Sequence, residues 1–140
     1  MSDTPYVIKS LNKGKSKTKI IVIVANERGA LDASNYNQIN ILGYPFSISE
    51  NFQIRNTNKT IKESINELNN IIEISDKSNK EVVVYLSMAF GNPYGDPWNI
   101  EIVLDWIYKL KLLGIKTISL SDTIGISDPD QIKNILNAVN

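Results

Sequence analysis

EVVVYLS, residues Glu81 to Ser87, places three valines in a row between a charged residue and a polar one. A near-continuous run of β-branched residues fits a strand covered on both faces, as in a parallel sheet. KIIVIVA (Lys19 to Ala25) has the same character. QINILGY (Gln38 to Tyr44) and KTISLS (Lys116 to Ser121) are shorter apolar runs of strand length. Four strands are therefore expected.

Helical periodicity fills the spaces between them. Ile61, Ile65, Leu68 and Ile72 recur every three or four residues, and Thr60 with Glu63 forms a T-x-x-E capping box before them. Ile100, Val103, Leu104, Ile107 and Leu110 repeat likewise, with Asp96 as the expected cap, Pro97 in the first turn and Gly114 at the C-terminal end. A third helix starts at Asp128-Pro129 and carries Ile132, Ile135, Leu136 and Val139. A shorter one is expected from Glu27 to about Asn35. The segment Pro45 to Lys59 reads as a long loop.

The predicted order is β-α-β-α-β-α-β-α, which argues for a parallel sheet with right-handed crossovers. Two architectures fit. An open doubly wound sheet is complete at four or five strands, whereas a (β/α) barrel takes eight strands and roughly 250 residues. With 140 residues, the chain has the length of half a barrel. The last helix runs to Asn140 without a stop signal, so the expectation is a cut chain, with residues 1–140 forming one partial barrel domain.

Composition narrows the chemistry. Of the 140 residues, 42% are hydrophobic, and 15 basic residues balance 15 acidic ones. Without a broad cationic face, neither nucleic acid nor an anionic membrane is an expected partner. There is no cysteine, hence no disulfide, thiolate metal site or thiol nucleophile; there is no histidine either, the commonest neutral-pH acid–base group. No apolar run reaches the length of a membrane span, no signal peptide is visible, and a cytoplasmic location is expected. No G-x-G-x-x-G or Walker loop occurs.

In parallel α/β folds, ligand chemistry gathers at the carboxyl ends of the strands. The distinctive segments here follow that rule: Asn26-Glu27-Arg28-Gly29, the loop with Ser47, Ser49, Glu50, Arg55, Asn56 and Asn58, the stretch Ser87 to Asp96, and Ser121-Asp122-Thr123-Ile124-Gly125. Glu27-Arg28 reads as a solvated helix start. Asp96 is equally well explained by helix capping alone. Because Asp128 already serves the last helix, Asp122 is free for ligand work. Arg55 and its asparagines either bind phosphate or satisfy their own backbone.

Several of these segments together resemble the hydroxymethylglutaryl-CoA lyase family. SENFQIRNTN (Ser49 to Asn58), YLSMAFGNPYGDP (Tyr85 to Pro97) and ISLSDTIGISDPDQI (Ile118 to Ile132) are similar to its S-E-x-F-x-x-x-N-x-N, Y-x-S-x-x-x-G-x-P-Y and I-S-L-x-D-T-I-G stretches, in the same order. The resemblance covers most of the chain beyond Val24. It implies an α/β fold, a partial (β/α) TIM barrel of four consecutive parallel βα units resembling strands three to six. The activity implied is cleavage of 3-hydroxy-3-methylglutaryl-CoA to acetyl-CoA and acetoacetate with a divalent cation, Mg²⁺ or Mn²⁺. Carried over residue by residue, Asp122 and Thr123 lie near the acyl group, Tyr85 and Ser87 face the acyl portion, and Asn56 lies by the CoA arm. Tyr85 fits barrel-core packing equally well.

Departures from the family are large. Its Arg-Asp pair, His-x-His metal ligands and late cysteine have no counterpart here, and Met88 and Asn92 stand where relatives often carry cysteines. No catalytic residue and no complete metal site are therefore assigned to this chain. Alone it is expected to be inactive. The alternative is a non-catalytic half-barrel that associates with itself or with a complementing chain through its open strand edges.

Overall fold

The computed structural model describes residues 3–11 and 16–139. In chain order its elements are α1 (Thr4–Ser10), β1 (Ile20–Ile23), α2 (Glu27–Ser34), β2 (Ile39–Ser47), α3 (Glu50–Thr57), α4 (Ile61–Lys77), β3 (Glu81–Ser87), α5 (Ile100–Leu112), β4 (Thr117–Leu120) and α6 (Pro129–Val139). All four expected strands are present. Helices α1 and α3 are additional, and α3 lies inside the segment expected to be a loop.

The strands form one sheet in the order β1-β2-β3-β4, with every neighbouring pair parallel. Each strand lies beside the one before it. A doubly wound sheet reverses direction at a switch point and puts helices on both faces; this sheet has no reversal. That decides between the two architectures.

Side-chain alternation then sorts the sheet into two faces. Leu42, Tyr44 and Phe46 of β2 and Val84 and Leu86 of β3 point one way and are buried. Against this face pack α4, through Leu68 and Ile71, and α5, through Val103, Ile107 and Leu110. The Phe46 and Trp106 rings meet at 5.0 Å between centroids, and the Tyr44 hydroxyl donates to the Ser64 carbonyl at 3.0 Å. Burial pushes the Tyr44 phenol up to about 12. The opposite, inner face carries Ile21, Ile23, Gly43, Val83, Tyr85 and Ser87. Ile21 and Ile23 are 39% and 48% exposed there.

Strand β2 runs three residues beyond the expected Tyr44, straight through Pro45. Proline is ordinarily confined to strand edges because it has no N–H to donate. Here the carbonyl of Gly43 accepts from Val24 N at 2.8 Å, and β1 ends there. Pro45, two residues on, turns its nitrogen toward the same side, where no neighbouring strand asks for a donor. Phe46 and Ser47 keep their pairing with Leu86 and Ser87 on the other side.

The helix ends follow simple capping chemistry. Thr60 and Glu63 form a reciprocal capping box at α4, and Asp128 Oδ1 accepts from Gln131 N at 2.7 Å at the start of α6. Gly114, just past α5, has φ +89°, a left-handed conformation suited to glycine. Among the described residues, no helix is long and apolar enough to cross a membrane.

Two fully buried residues make a direct test of the core. Among the described residues Ser64 Oγ is buried without a hydrogen-bond partner, so Ser64→Ala removes a desolvated hydroxyl and leaves stability unchanged or raises it by up to about 1 kcal/mol. Leu86→Ala opens a cavity between sheet and helices and costs about 2–5 kcal/mol. Urea unfolding of both variants checks the pair.

Candidate functional site at the strand ends

The carboxyl ends of β2, β3 and β4 meet in one place. Ser47 is paired with Ser87, and the ladder continues past β4 as Ser121 N donates to Leu86 O at 3.0 Å. Ser47, Ser87 and Ser121 thus stand side by side at one height on the inner face. One step lower lie Pro45, Tyr85 and Ser119, with Tyr85 paired to Ser119. Tyr85 packs over Gly43: a Cβ added to Gly43 would come within 2.9 Å of the Tyr85 ring and 2.7 Å of Ile23 Cδ1. The inner face is therefore an apolar floor with a hydroxyl rim.

Asp122 is not the spare carboxylate the sequence implied. It accepts from the Ser127 hydroxyl at 2.7 Å, Ser127 N at 3.0 Å and Ile126 N at 3.1 Å. The Ser127 hydroxyl, followed by the loop's backbone N–H groups, holds this carboxyl below the usual range. Thr123 Oγ1 accepts from Met88 N at 2.8 Å. Met88 is completely buried yet has φ +60°, a conformation side-chain-bearing residues seldom adopt. Thr123 thereby pins the turn leaving β3 to the loop leaving β4. Both residues brace the loops just beyond the rim.

Asp96 is also reassigned. Asn99, not Asp96, caps α5, accepting from Ile102 N at 2.8 Å, and the helix begins at Ile100 rather than Pro97. The Asp96 carboxylate instead reaches the start of α3. It accepts from the Ser49 hydroxyl, from Asn51 N at 3.0 Å and from Asn51 Nδ2 at 2.6 Å. Ser49 itself caps α3 through Phe52 N at 3.1 Å. A carboxylate at a helix N-terminus also meets the positive end of the helix dipole. Together the Ser49 hydroxyl and the Asn51 donors depress the Asp96 pKa against some burial.

Asp96 lies in a strap, residues 88–99, that crosses from β3 toward α3. Within it Asn92 Oδ1 accepts from Tyr94 N and Asp96 N at 3.0 and 3.1 Å, and Asn92 Nδ2 donates to the Asp96 carbonyl at 2.9 Å. Tyr94 packs on Phe52, and the Arg55 guanidinium sits 5.0 Å from the Tyr94 ring centroid. Asn56 is exposed on α3, and no hydrogen bond ties it to the strand-end group. Tyr85, Ser87, Asp122 and Thr123 are brought together; Asn56 stands apart. Ser47, Ser121 and Asp96 complete the site; the sequence left Asp96 equally open to helix capping, and the two serines were not singled out as ligand positions. Ser121 stood at the end of the fourth apolar run, whereas Ser47 lay three residues past the second, beyond Pro45.

No group of three or more Asp, Glu, His or Cys side chains able to hold a metal ion occurs among the described residues. The site is built of hydroxyls, backbone dipoles and two carboxylates already engaged by neighbouring donors.

An all-parallel sheet in sequential order, helices on one face and polar groups at the strand ends define a partial (β/α) barrel. No family model matches the chain. It is 33% identical over 139 residues to a hydroxymethylglutaryl-CoA lyase of Bacillus subtilis and 31% identical over 141 residues to the human mitochondrial enzyme; 99% of the chain aligns in both cases. The crystal structure of the Bacillus subtilis HMG-CoA lyase superposes with a TM-score of 0.89 at 32% identity. An HMG-CoA lyase from Acinetobacter baumannii, in complex with coenzyme A and 3-methylmalate, gives 0.88 at 26% identity over 98% of this chain. The chain is homologous to the hydroxymethylglutaryl-CoA lyases and corresponds to a central segment of that family. It spans about half the length of the relatives it matches, 46% of the Bacillus subtilis protein and 42% of the human one.

The Asp96 tie gives a pH-dependent prediction. Its folded-state pKa is below its unfolded value, so its stabilisation is present above about pH 4 and is lost as pH falls through the folded value. Asp96→Ala should cost about 1 kcal/mol at neutral pH, in the range of a lost helix cap. The gap between wild type and variant should close between about pH 5 and about pH 2. Thermal melts across that range measure it; a gap independent of pH contradicts the assignment.

Proposed function

We propose that residues 1–140 form one partial barrel domain carrying the acyl-binding part of a carbon–carbon lyase acting on a 3-hydroxyacyl-CoA. The observation that carries this reading is 33% identity maintained along the whole matched chain. The coenzyme A complex of the Acinetobacter baumannii relative supports the substrate class.

On this reading Tyr85 and Ser87 face the acyl group, Asp122 and Thr123 shape the end of β4 beside it, and Asn56 lies toward the CoA arm. Hydroxyls suit this work, since they orient a thioester and a carboxylate without adding net charge to the site. The divalent cation implied by the family would polarise the acyl oxygens as a Lewis acid. The described residues do not fit its ligand set, so no step is assigned through it here. Such a chain, working in the cytoplasm, is inactive by itself.

Purified chain incubated with 3-hydroxy-3-methylglutaryl-CoA and Mg²⁺ is expected to release no acetoacetate above a metal-free control. Release above that control would overturn the assignment of inactivity.

The sheet also supports a second reading, a non-catalytic half-barrel that associates with another copy. Among the described residues, β1 and β4 each have one unpaired edge, and the β1 edge carries exposed Ile21 and Ile23. Light scattering on a sizing column tests this directly: a mass of two chains favours association, and a monomer removes it.

A further inference from the structure

We propose that two copies of the chain close one eight-stranded barrel, the free edge of β4 in each copy pairing in parallel with the free edge of β1 in the other. The proposal rests on the reading of a half-barrel that associates with another copy, and it names the edges, the register and the helices that meet.

Strand number and direction come first. Four parallel strands lie side by side in chain order, and a (β/α) barrel takes eight. A two-fold axis along the barrel brings β4 of each copy beside β1 of the other with every strand parallel. Both seams then form at once, and no edge is left over. A second copy offers the two complementary edges at matching height by symmetry alone.

The register follows from the sheet. Ile23, Gly43, Val83 and Thr117 lie in one row across the four strands. A barrel of this kind has a shear of about eight residues, so half of it takes up about four. Thr117 then meets Lys19 of the second copy, and Ser119 meets Ile21. A shift in the opposite sense would set Thr117 against Glu27, which already belongs to α2. In the chosen register Ser119, the partner of Tyr85 in the ladder, and Ile21 both face inward, and no like charges meet.

The helices complement each other as well. Helix α6 leaves the carboxyl end of β4 and runs 11 residues, whereas α1 runs 7 residues and leads to the amino end of β1. Across the seam they fall end to end in one slot outside the sheet. Together they have about the length of the 17-residue α4, which fills the corresponding slot between β2 and β3. Apolar exposure marks the same places. Of 14 large hydrophobic residues exposed among the described residues, five lie within residues 6–23 and five within residues 124–139, so most of the uncovered apolar surface flanks the two free edges. On α6, Ile132, Leu136 and Val139 recur at helical spacing and form a stripe that the chain's own sheet leaves uncovered.

The chain contains no cysteine, so introduced thiols report contacts without background. Ile21→Cys and Ser119→Cys combined in one chain should be joined between copies by a thiol crosslinker with a reach of about 5 Å, the spacing of neighbouring strands. A denaturing gel then shows a two-chain band, and neither single variant nor Tyr108→Cys, on exposed α5 surface, gives one. Leu136→Glu should remain folded by circular dichroism and weaken the dimer at least about tenfold in light scattering, because the seam would bury an unpaired charge. A two-chain mass without the link in the double variant overturns the edge pairing and leaves association standing; a monomer overturns both. Masses growing beyond two chains overturn closure, since unclosed edges add copies without limit. An unchanged dimer in folded Leu136→Glu also overturns the proposal.

Discussion

Parallel pairing in strict chain order is the constraint from which the rest follows. Because β1, β2, β3 and β4 are laid down side by side with right-handed crossovers, their connecting helices fall on one face of the sheet. Leu42, Phe46, Val84 and Leu86 are therefore buried, while Ile21, Tyr85 and Ser87 share a face without helices. All four carboxyl ends also point the same way. A one-residue slip of β3 against β2 would exchange the two faces, setting Leu86 where Ser87 stands. The apolar demand of the helix side thus fixes the position of every hydroxyl on the other.

Loops secure what the sheet aligns. Thr123 binds the backbone of Met88 across strands, and Asp96 binds the start of α3 across some 45 residues of chain. Neither contact buries much surface. Each takes up a backbone N–H that would otherwise lack a partner, at a left-handed turn in one case and a helix N-terminus in the other. The carboxylates and hydroxyls that look most reactive in the sequence are largely occupied in this way.

The strands and helices α4, α5 and α6 were legible because Val/Ile runs and three-to-four-residue spacing report burial directly, and α2 also starts at the expected Glu27. EVVVYLS and the Thr60–Glu63 box appear in the structure where the residues placed them. Helix α3 was not legible, because its one fully buried residue is Gln53, a polar side chain that donates to Thr57 and accepts from Ser47 N. No apolar period marks such a helix. Pro45 hid the end of β2, since its tolerance depends on β1 stopping short, which local sequence does not show. Asp96 misled for a related reason: Asp-Pro is a good local helix start, yet the carboxylate's partners lie in another element. For the site, Tyr85 and Ser87 followed from the family resemblance, whereas Ser47 and Ser121 needed the inter-strand register.

The hydroxyl rim bears on how chemistry could be divided in a barrel of this kind. Serine and tyrosine hydroxyls orient a substrate but offer little charge to a developing anion; transition-state charge is stabilised chiefly by cations, metals or converging dipoles. The two carboxylates nearest the rim are held ionised by their donors, with pKa values lowered rather than raised. A carboxylate so stabilised is a poor base at neutral pH, because its proton affinity has been reduced by the same bonds that fix it. Groups of this kind suit holding and orienting a ligand. Proton abstraction and charge stabilisation require groups of a different kind.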